Sequence, residues 1–478
     1  MSKKYDLVVI GSGPGGYVAA IKMAQAGKKV AIIEKQHIGG ICLNWGCIPT
    51  KALIKSAEVF QDFQHAEEYG IEAKGVKADY KKVVARSRGV ADTNSKGVQF
   101  LMKKNKIEVI EGIGRIVSSG IIELEKIVVG EDGYTKVGSG EKEMISCDNI
   151  IIATGARARE IPTFPIDGEN FITYRKALEL DKLPKKLLVV GSGAIGSEFS
   201  YVYNSMGVEV HLVEMMEQIL PVEDKEQAGI VESSFKKQGI HTYTSTTVES
   251  AELIKNGEIK AVLKDKKGKE IELVVDRVLV AIGMVPNTED LGLDKAGVKL
   301  DNRGMIQVDS MMRTSVSGIY AIGDVTGKQM LAHKASFEGE TAVAHILGEN
   351  PHGVDYSQVP GCTYCQPQIA SVGLTEAKAK EQGLDVKIGR FPFAASGKAR
   401  AIGHTEGQVK LIFDKKYGEL VGAHIVGSEA TELLAELGLA MKLEATWEEI
   451  AHTIHAHPTL SESIMEAALD SEGISPHL

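Results

Sequence analysis

The sequence predicts an α/β fold in which one nucleotide-binding unit occurs twice, followed by an α+β segment. Three observations predict it: a repeated glycine-rich unit, a pair of matching apolar strands around its second copy, and a change of character near residue 351. In the first copy the apolar run Leu7-Val8-Val9-Ile10 leads into Gly11-Ser12-Gly13-Pro14-Gly15-Gly16, then a helix to about Gly27. The strand Val30-Ala31-Ile32-Ile33 follows and ends in Glu34. The second copy reads Leu187-Leu188-Val189-Val190, Gly191-Ser192-Gly193-Ala194-Ile195-Gly196, a helix to about Met206, and Val208–Val213 ending in Glu214. Gly11 to Glu34 and Gly191 to Glu214 both span 23 positions.

Strand, G-x-G-x-x-G turn, helix, strand and terminal acid make a Rossmann βαβ unit. The first glycine (Gly11, Gly191) permits the sharp turn. The second (Gly13, Gly193) lets the backbone approach a pyrophosphate, and the third (Gly16, Gly196) brings helix against strand. Phosphates are held on the helix N-terminus by its free N–H groups and dipole. Two copies imply two dinucleotides.

Asn149-Ile150-Ile151-Ile152-Ala153-Thr154-Gly155 and Val278-Leu279-Val280-Ala281-Ile282-Gly283 are apolar strands closing on a small residue and a glycine. They bracket the second unit, which reads as an insertion in the first domain; that domain resumes through Gly318–Asp324. Expected boundaries are 1–152 and 283–350 for the first domain, 153–282 for the inserted one, and 351–478 for the last. Residues 72–140 hold a charged helix and short strands with turns at Gly120, Gly130, Gly133 and Gly138, read as a hairpin extension. Beyond 351, strands at Ile369–Val372, Val409–Phe413 and Leu420–Val426 precede helices at 429–442 and 461–470, without a nucleotide motif.

A chain of 478 residues exceeds one hydrophobic core, so about three domains are expected. Hydrophobic content of 43% and charged content of 25% place it among ordinary globular proteins. A net charge of −9 without a basic cluster argues against a nucleic-acid partner. No apolar run reaches the roughly 18 residues of a membrane span. The N-terminus runs straight into a strand with no room for a signal peptide, so a cytoplasmic location is expected. There, a cysteine pair is more often catalytic or metal-binding than structural.

Cys42 and Cys47, separated by four residues, follow directly on the first glycine turn and its acid. On a regular helix they would lie about 140° apart, which suits a disulfide poorly. Asn44-Trp45-Gly46 and Pro49 therefore point to a distorted first turn that brings the sulfurs together. A helix N-terminus also favours the thiolate. Cys362 and Cys365 form a second pair, read as residues of one strand pointing to opposite faces.

The segment Gly39-Gly40-Ile41-Cys42-Leu43-Asn44-Trp45-Gly46-Cys47-Ile48-Pro49-Thr50-Lys51 resembles the active-site signature of the FAD-dependent pyridine nucleotide–disulfide oxidoreductases. The resemblance runs nearly end to end, through both glycine units, Ala153-Thr154-Gly155, Gly323-Asp324, Met330-Leu331-Ala332-His333 and His455-Ala456-His457-Pro458-Thr459-Leu460-Ser461-Glu462. Trp45 departs from it, standing where a smaller apolar residue is common. The resemblance assigns FAD to the first unit, with Gly11, Gly13, Gly16, Glu34, Cys42, Lys51, Gly114, Thr154, Gly155, Asp324 and Ala332 around it. It assigns NAD to the second, with Gly191, Gly193, Gly196, Glu198, Glu214, Val248 and Gly283; Glu198 would also pair with Lys51. Glu214 favours NAD on physical grounds, because a carboxylate accepts from a ribose 2′-OH and repels a 2′-phosphate.

Taken alone, the His457/Glu462 spacing proves little and favours a surface or capping role. The resemblance makes His457 the base, oriented by Glu462, at the Cys42–Cys47 disulfide of a partner subunit in a homodimer, with His455 in packing. The members it matches best oxidise a dihydrolipoyl dithiol carried on a lipoyl-bearing acyltransferase (E2) or on the glycine cleavage H protein. A reductase of another small disulfide and a non-catalytic flavin-bound subunit are the alternative readings.

Overall fold

The computed structural model describes residues 4–129, 136–162, 164–255 and 257–478. Gly130 and Gly133 lie outside the described residues. The chain divides into two units: residues 1–52, 84–159 and 284–354, and residues 53–83, 160–283 and 355–478.

In the first unit the strand Lys4–Ile10 is flanked by Val30–Glu34 and by the end of the long strand Lys136–Ile152, all parallel. Glu108–Glu111 extends one edge and Ile319–Ala321 pairs with Lys136–Ile152 on the other side. These strands read as continuous apolar runs because both faces of a parallel sheet are covered. Leu7 and Val9 pack with Met23, Ile151 and Ala342 on one face, and Val8 and Ile10 with Ile150, Ile152 and Ile319 on the other. Helices Pro14–Gln25 and Ala332–Ile346 cross closely: a Cβ on Gly15 would meet the Ala335 carbonyl oxygen at 2.8 Å, and one on Gly339 the Gly15 carbonyl oxygen at 2.8 Å. The expected hairpin extension is Ile113–Ser118, Ile121–Val129 and the start of Lys136–Ile152, all antiparallel.

The second unit holds a five-stranded parallel sheet ordered His241–Tyr243, Glu209–Val213, Lys186–Val190, Arg277–Val280, Phe171–Ile172. An antiparallel sheet of Thr246–Leu253, Ile259–Asp265 and Glu270–Val275 accompanies it. Residues beyond 355 form an antiparallel sheet of five strands, Gly361–Thr363, Gln368–Gly373, Leu420–Gly427, Gln408–Asp414 and Val386–Pro392. Helices Ala430–Lys442 and Glu462–Asp470 bury Leu434, Leu437, Ile464 and Ala467 against it. Among the described residues no helix is long and apolar enough to cross a membrane.

Candidate active site

The two glycine turns are built alike, bond for bond. Gly11 (φ +103°) and Gly191 (φ +96°) adopt the left-handed region that a side chain avoids, and a Cβ there would strike the carbonyl oxygen of Ala153 or Ala281. Each donates its N–H to the end of the next strand, Ile33 or Val213, at 2.8 Å. Gly16 and Gly196 sit on the carbonyl oxygens of Gly11 and Gly191, leaving no room for a methyl group. A Cβ on Gly13 or Gly193, by contrast, would meet nothing within 4 Å. The middle glycine of each turn thus faces open space.

Both following helices begin at that space without a side-chain cap and without an acid in the first turn, whereas Asp224 caps Lys225–Lys237. Their first N–H groups and positive dipole ends stay available to an anion. The acids close the pocket identically. Glu34 Oε2 accepts from Ser12 N (2.9 Å) and Oγ (2.6 Å), and its Oε1 from Gln36 N (2.7 Å). Glu214 Oε2 accepts from Ser192 N (2.9 Å) and Oγ (2.8 Å), and its Oε1 from Met216 N (2.9 Å). Oε1 of each carboxylate, with a single donor, keeps acceptor capacity for a ribose hydroxyl. Ser12 and Ser192 are site residues that motif reading passed over; the same residue type at the same place in both copies was the available signal.

The thiol segment rests directly on the first turn. Gly39 (φ +96°) and Gly40 (φ +63°) turn the chain, and a Cβ on Gly40 would come within 2.7 Å of Gly13 Cα. Cys42 then lies in the first turn of a short helix, Gly40–Trp45, and Cys47 is the first residue of a second, Cys47–Gln64. The expected distortion is a break at Gly46 (φ −139°, ψ −113°), where a Cβ would press on Ile41 O at 3.2 Å and Cys42 Cα at 3.4 Å. Asn44 anchors the first helix by donating to Ile38 O (3.0 Å) and Gly40 O (2.9 Å), while Thr50 Oγ1 donates to Gly46 O (2.7 Å).

Helix Tyr80–Lys104 clamps the segment from outside: Ser87 donates to Pro49 O (2.7 Å), Ser95 to Ile38 O (2.8 Å) and Arg88 to Asn44 O (2.5 Å). The Arg88 guanidinium also lies 4.4 Å from the Trp45 ring centroid, a cation–π contact that a smaller residue at 45 would not make.

The Cys42 and Cys47 side chains lie within hydrogen-bonding reach of each other. The Cys42 thiol is raised well above its ordinary range, first by its hydrogen bond with Cys47, then by burial and the charge of Cys47; the Lys51 charge opposes this. Cys42 therefore keeps its proton in the reduced pair. Negative charge is accommodated better at Cys47, at a helix N-terminus.

Asp324, in the turn Gly323–Thr326, completes the first unit. Burial raises its carboxyl above the usual range, and among the described residues no protein donor reaches it. Its side chain is only half-buried, so the carboxyl stays open to a polyol hydroxyl. This carboxylate, the open space at Gly13 and the uncapped helix fit FAD. The turn is held by a pair that sequence reading did not flag: Lys334 and Glu338, both fully buried and 3.1 Å apart. Glu338 accepts from Gly323 N (2.7 Å) and Lys334 donates to Gly323 O (3.1 Å). Their i,i+4 spacing, on a helix that also carries His333, Glu340 and His345, was the available mark.

Thr154 donates to Asn287 O (2.8 Å), Asn287 returns a bond to Thr154 O (2.9 Å), and Gly155 (φ +69°) follows with open space beside it. Ala332 opens the helix Ala332–Ile346, again without a side-chain cap. At Gly114 a Cβ would meet Ile33 Cδ1 at 3.1 Å. In the second unit Gly283 has φ +107°, Val248 lies at a bulge in Thr246–Leu253, and buried Glu198 accepts from Tyr364 N at 3.0 Å.

His457 is 80% exposed, and its Nδ1 lies 2.8 Å from Glu462 Oε1. Glu462 Oε2 accepts from Thr459 N at 2.7 Å. This contact engages Nδ1 and not Nε2. His455 is turned inward instead. Only 5% exposed, it bridges Glu436 Oε1 (2.8 Å) and Thr453 O (2.8 Å), a packing role as expected. The second cysteine pair is a correction. Cys362 lies on Gly361–Thr363, but the strand ends before Cys365, whose buried thiol donates to Pro367 O at 3.3 Å. The turn toward Pro367 ends the pairing too early for one strand to carry both.

Comparison with known proteins bears on the whole chain. Residues 5–339 match the pyridine nucleotide-disulphide oxidoreductase family, and residues 359–468 match the dimerisation domain of such proteins. The chain is 51% identical to a dihydrolipoyl dehydrogenase of Rhizobium etli, over 99% of both chains. It is 47% identical to the dihydrolipoyl dehydrogenase of Zymomonas mobilis, over the full length of both. Among solved structures, LpdA of Mycobacterium tuberculosis superposes with a TM-score of 0.86 at 30% identity, covering 97% of this chain and 99% of that one. The HOCl-induced flavoprotein disulfide reductase RclA of Escherichia coli does so with 0.83 at 26%, covering 97% and 99%.

Proposed function

The chain belongs to the pyridine nucleotide-disulphide oxidoreductase family, and on that premise we propose that it oxidises a protein-bound dihydrolipoyl dithiol to lipoyl disulfide and reduces NAD+ to NADH. The observation that carries this reading is the seating of the Cys42/Cys47 segment, through Gly40, on the first nucleotide turn. FAD is bound by the first unit and NAD by the second, and the sequence relatives, at 51% and 47% identity, favour this substrate over other small disulfides.

In the oxidised enzyme Cys42 and Cys47 form the disulfide. His457 Nε2 takes a proton from one substrate thiol, and the thiolate attacks Cys42 Sγ. The Cys42–Cys47 bond breaks, and Cys47 leaves as a thiolate at its helix N-terminus. The second substrate thiol attacks the mixed disulfide, expelling Cys42, which takes up a proton as its raised pKa favours. The substrate is thereby oxidised by two electrons and the cysteine pair reduced by two. Bound FAD supplies the route by which that electron pair reaches NAD+.

Residues 1–152 and 283–350 form the FAD-binding part in this reading, 153–282 the NAD-binding part and 351–478 the dimer interface. The residues assigned to FAD and NAD above hold them. The exposure of His457 supports its use by a second protomer. The substrate carrier is a lipoyl-bearing acyltransferase or an H protein, and the location is the cytoplasm, where thiols stay reduced.

Anaerobic titration with dihydrolipoamide, followed by visible absorbance and then NAD addition, tests the relay. Wild type should bleach and recover with NADH release, whereas Cys47→Ser should lose lipoamide oxidation. Near-normal turnover in that variant would sink the reading.

A further inference from the structure

At the edge of the second parallel sheet, the strands Glu209–Val213 and His241–Tyr243 run side by side with His211 paired to His241. Register partners on adjacent strands point to the same face. The two imidazoles accordingly stack, with centroids 4.8 Å apart and planes inclined by 17°. Glu209, two residues before His211 and so on the same face, brings its Oε1 to 3.0 Å from His211 Nε2. One ligand atom each from Glu209, His211 and His241 lies within 4.8 Å of the others. Neither the nucleotide turns nor the thiol pair uses these side chains.

We propose that Glu209, His211 and His241 form a surface site for a divalent transition metal ion of the zinc or copper type. Two imidazoles and one carboxylate are the donor set such ions take, and the order of divalent affinities puts copper first. His211 is buried while Glu209 and His241 are exposed, so water can fill the remaining positions. His211 Nδ1 lies 3.1 Å from the Tyr243 hydroxyl. A hydroxyl donates or accepts. Tyr243 therefore matches the tautomer that frees Nε2 for a metal, as the outer partner of a ligating histidine does. Lys186 Nζ, 3.1 Å from Glu209 Oε1, is the internal cation that the metal displaces.

Calorimetric titration of tag-free holoenzyme with Zn(II) tests this, with the Cys42–Cys47 pair kept oxidised so that thiolates cannot compete. Wild type should bind one equivalent. His241→Ala, at an exposed position that spares the fold, should weaken binding about tenfold or more. Lys186→Met should tighten it. Cu(II) electron paramagnetic resonance should show imidazole nitrogen splitting that His241→Ala reduces. Unchanged Zn(II) affinity in His241→Ala, weaker binding in Lys186→Met, or no stoichiometric binding by wild type overturns the proposal.

Discussion

Glu462 determines how His457 can act. Burial alone would raise its carboxyl, but the Thr459 N–H and His457 outweigh that and hold it below the usual carboxylate range. It therefore stays ionised at every working pH, accepts from Nδ1 and so fixes the tautomer that leaves the Nε2 lone pair free. Glu462→Gln should lower kcat for lipoamide about tenfold to a hundredfold, within the span of a general base's contribution. A residue that only packs would lower the melting temperature and leave kcat where it is. At this scale the sequence was legible wherever chemistry sits in a short word. Cys42, Cys47, His457 and the two acids Glu34 and Glu214 could all be named in advance. Lys334 and Glu338 could not, because a buried ion pair looks like any i,i+4 surface pair until its burial is known.

The elements were readable because their signals are local. Strand, glycine turn and helix repeat within about 30 residues, and the predicted strand Val30–Ile33 with its terminal acid is observed as Val30–Glu34. The glycines of one turn nevertheless divide into two kinds that spacing cannot separate. Gly196 is required by packing, since a methyl group would strike Gly191 O, whereas the space at Gly193 is open. Gly193 also has φ −63°, which alanine adopts freely. Gly193→Ala should therefore keep the melting temperature, while raising KM for NAD by roughly one to two orders of magnitude through displacement of the pyrophosphate. Gly196→Ala should lower the melting temperature and yield little folded protein. Equal melting temperatures in the two variants would contradict this division. The sheet Thr246–Leu253, Ile259–Asp265, Glu270–Val275 was not foreseen; its strands carry mixed polar and apolar residues and no motif.

At the scale of the whole molecule, contacts between distant segments leave no trace in local patterning. Lys410, almost fully buried, meets Asp224 (2.9 Å), Glu226 (2.9 Å) and Glu376 (2.9 Å), joining segments 186 positions apart in the first case. Burial would raise the Glu226 carboxyl, but donation by Arg390, Gln408 and Lys410 holds it at about 2, against an ordinary 4.5. A depressed carboxylate stabilises the fold fully above its unfolded pKa and loses that contribution as pH falls through the folded one. The melting temperature should thus drop between pH 4.5 and about 2, and less steeply in Glu226→Gln, which has already lost the interaction.

The assembly offers the most demanding test. If each active site takes its cysteines from one protomer and His457 from the other, Cys47→Ser and His457→Gln homodimers are both inactive. A mixed dimer then contains one site with both defects and one with neither. Random exchange of subunits makes half the dimers mixed, so unfolding and refolding the two variants together should restore about a quarter of wild-type turnover per chain. Sites confined to a single chain would give no recovery at any mixing ratio.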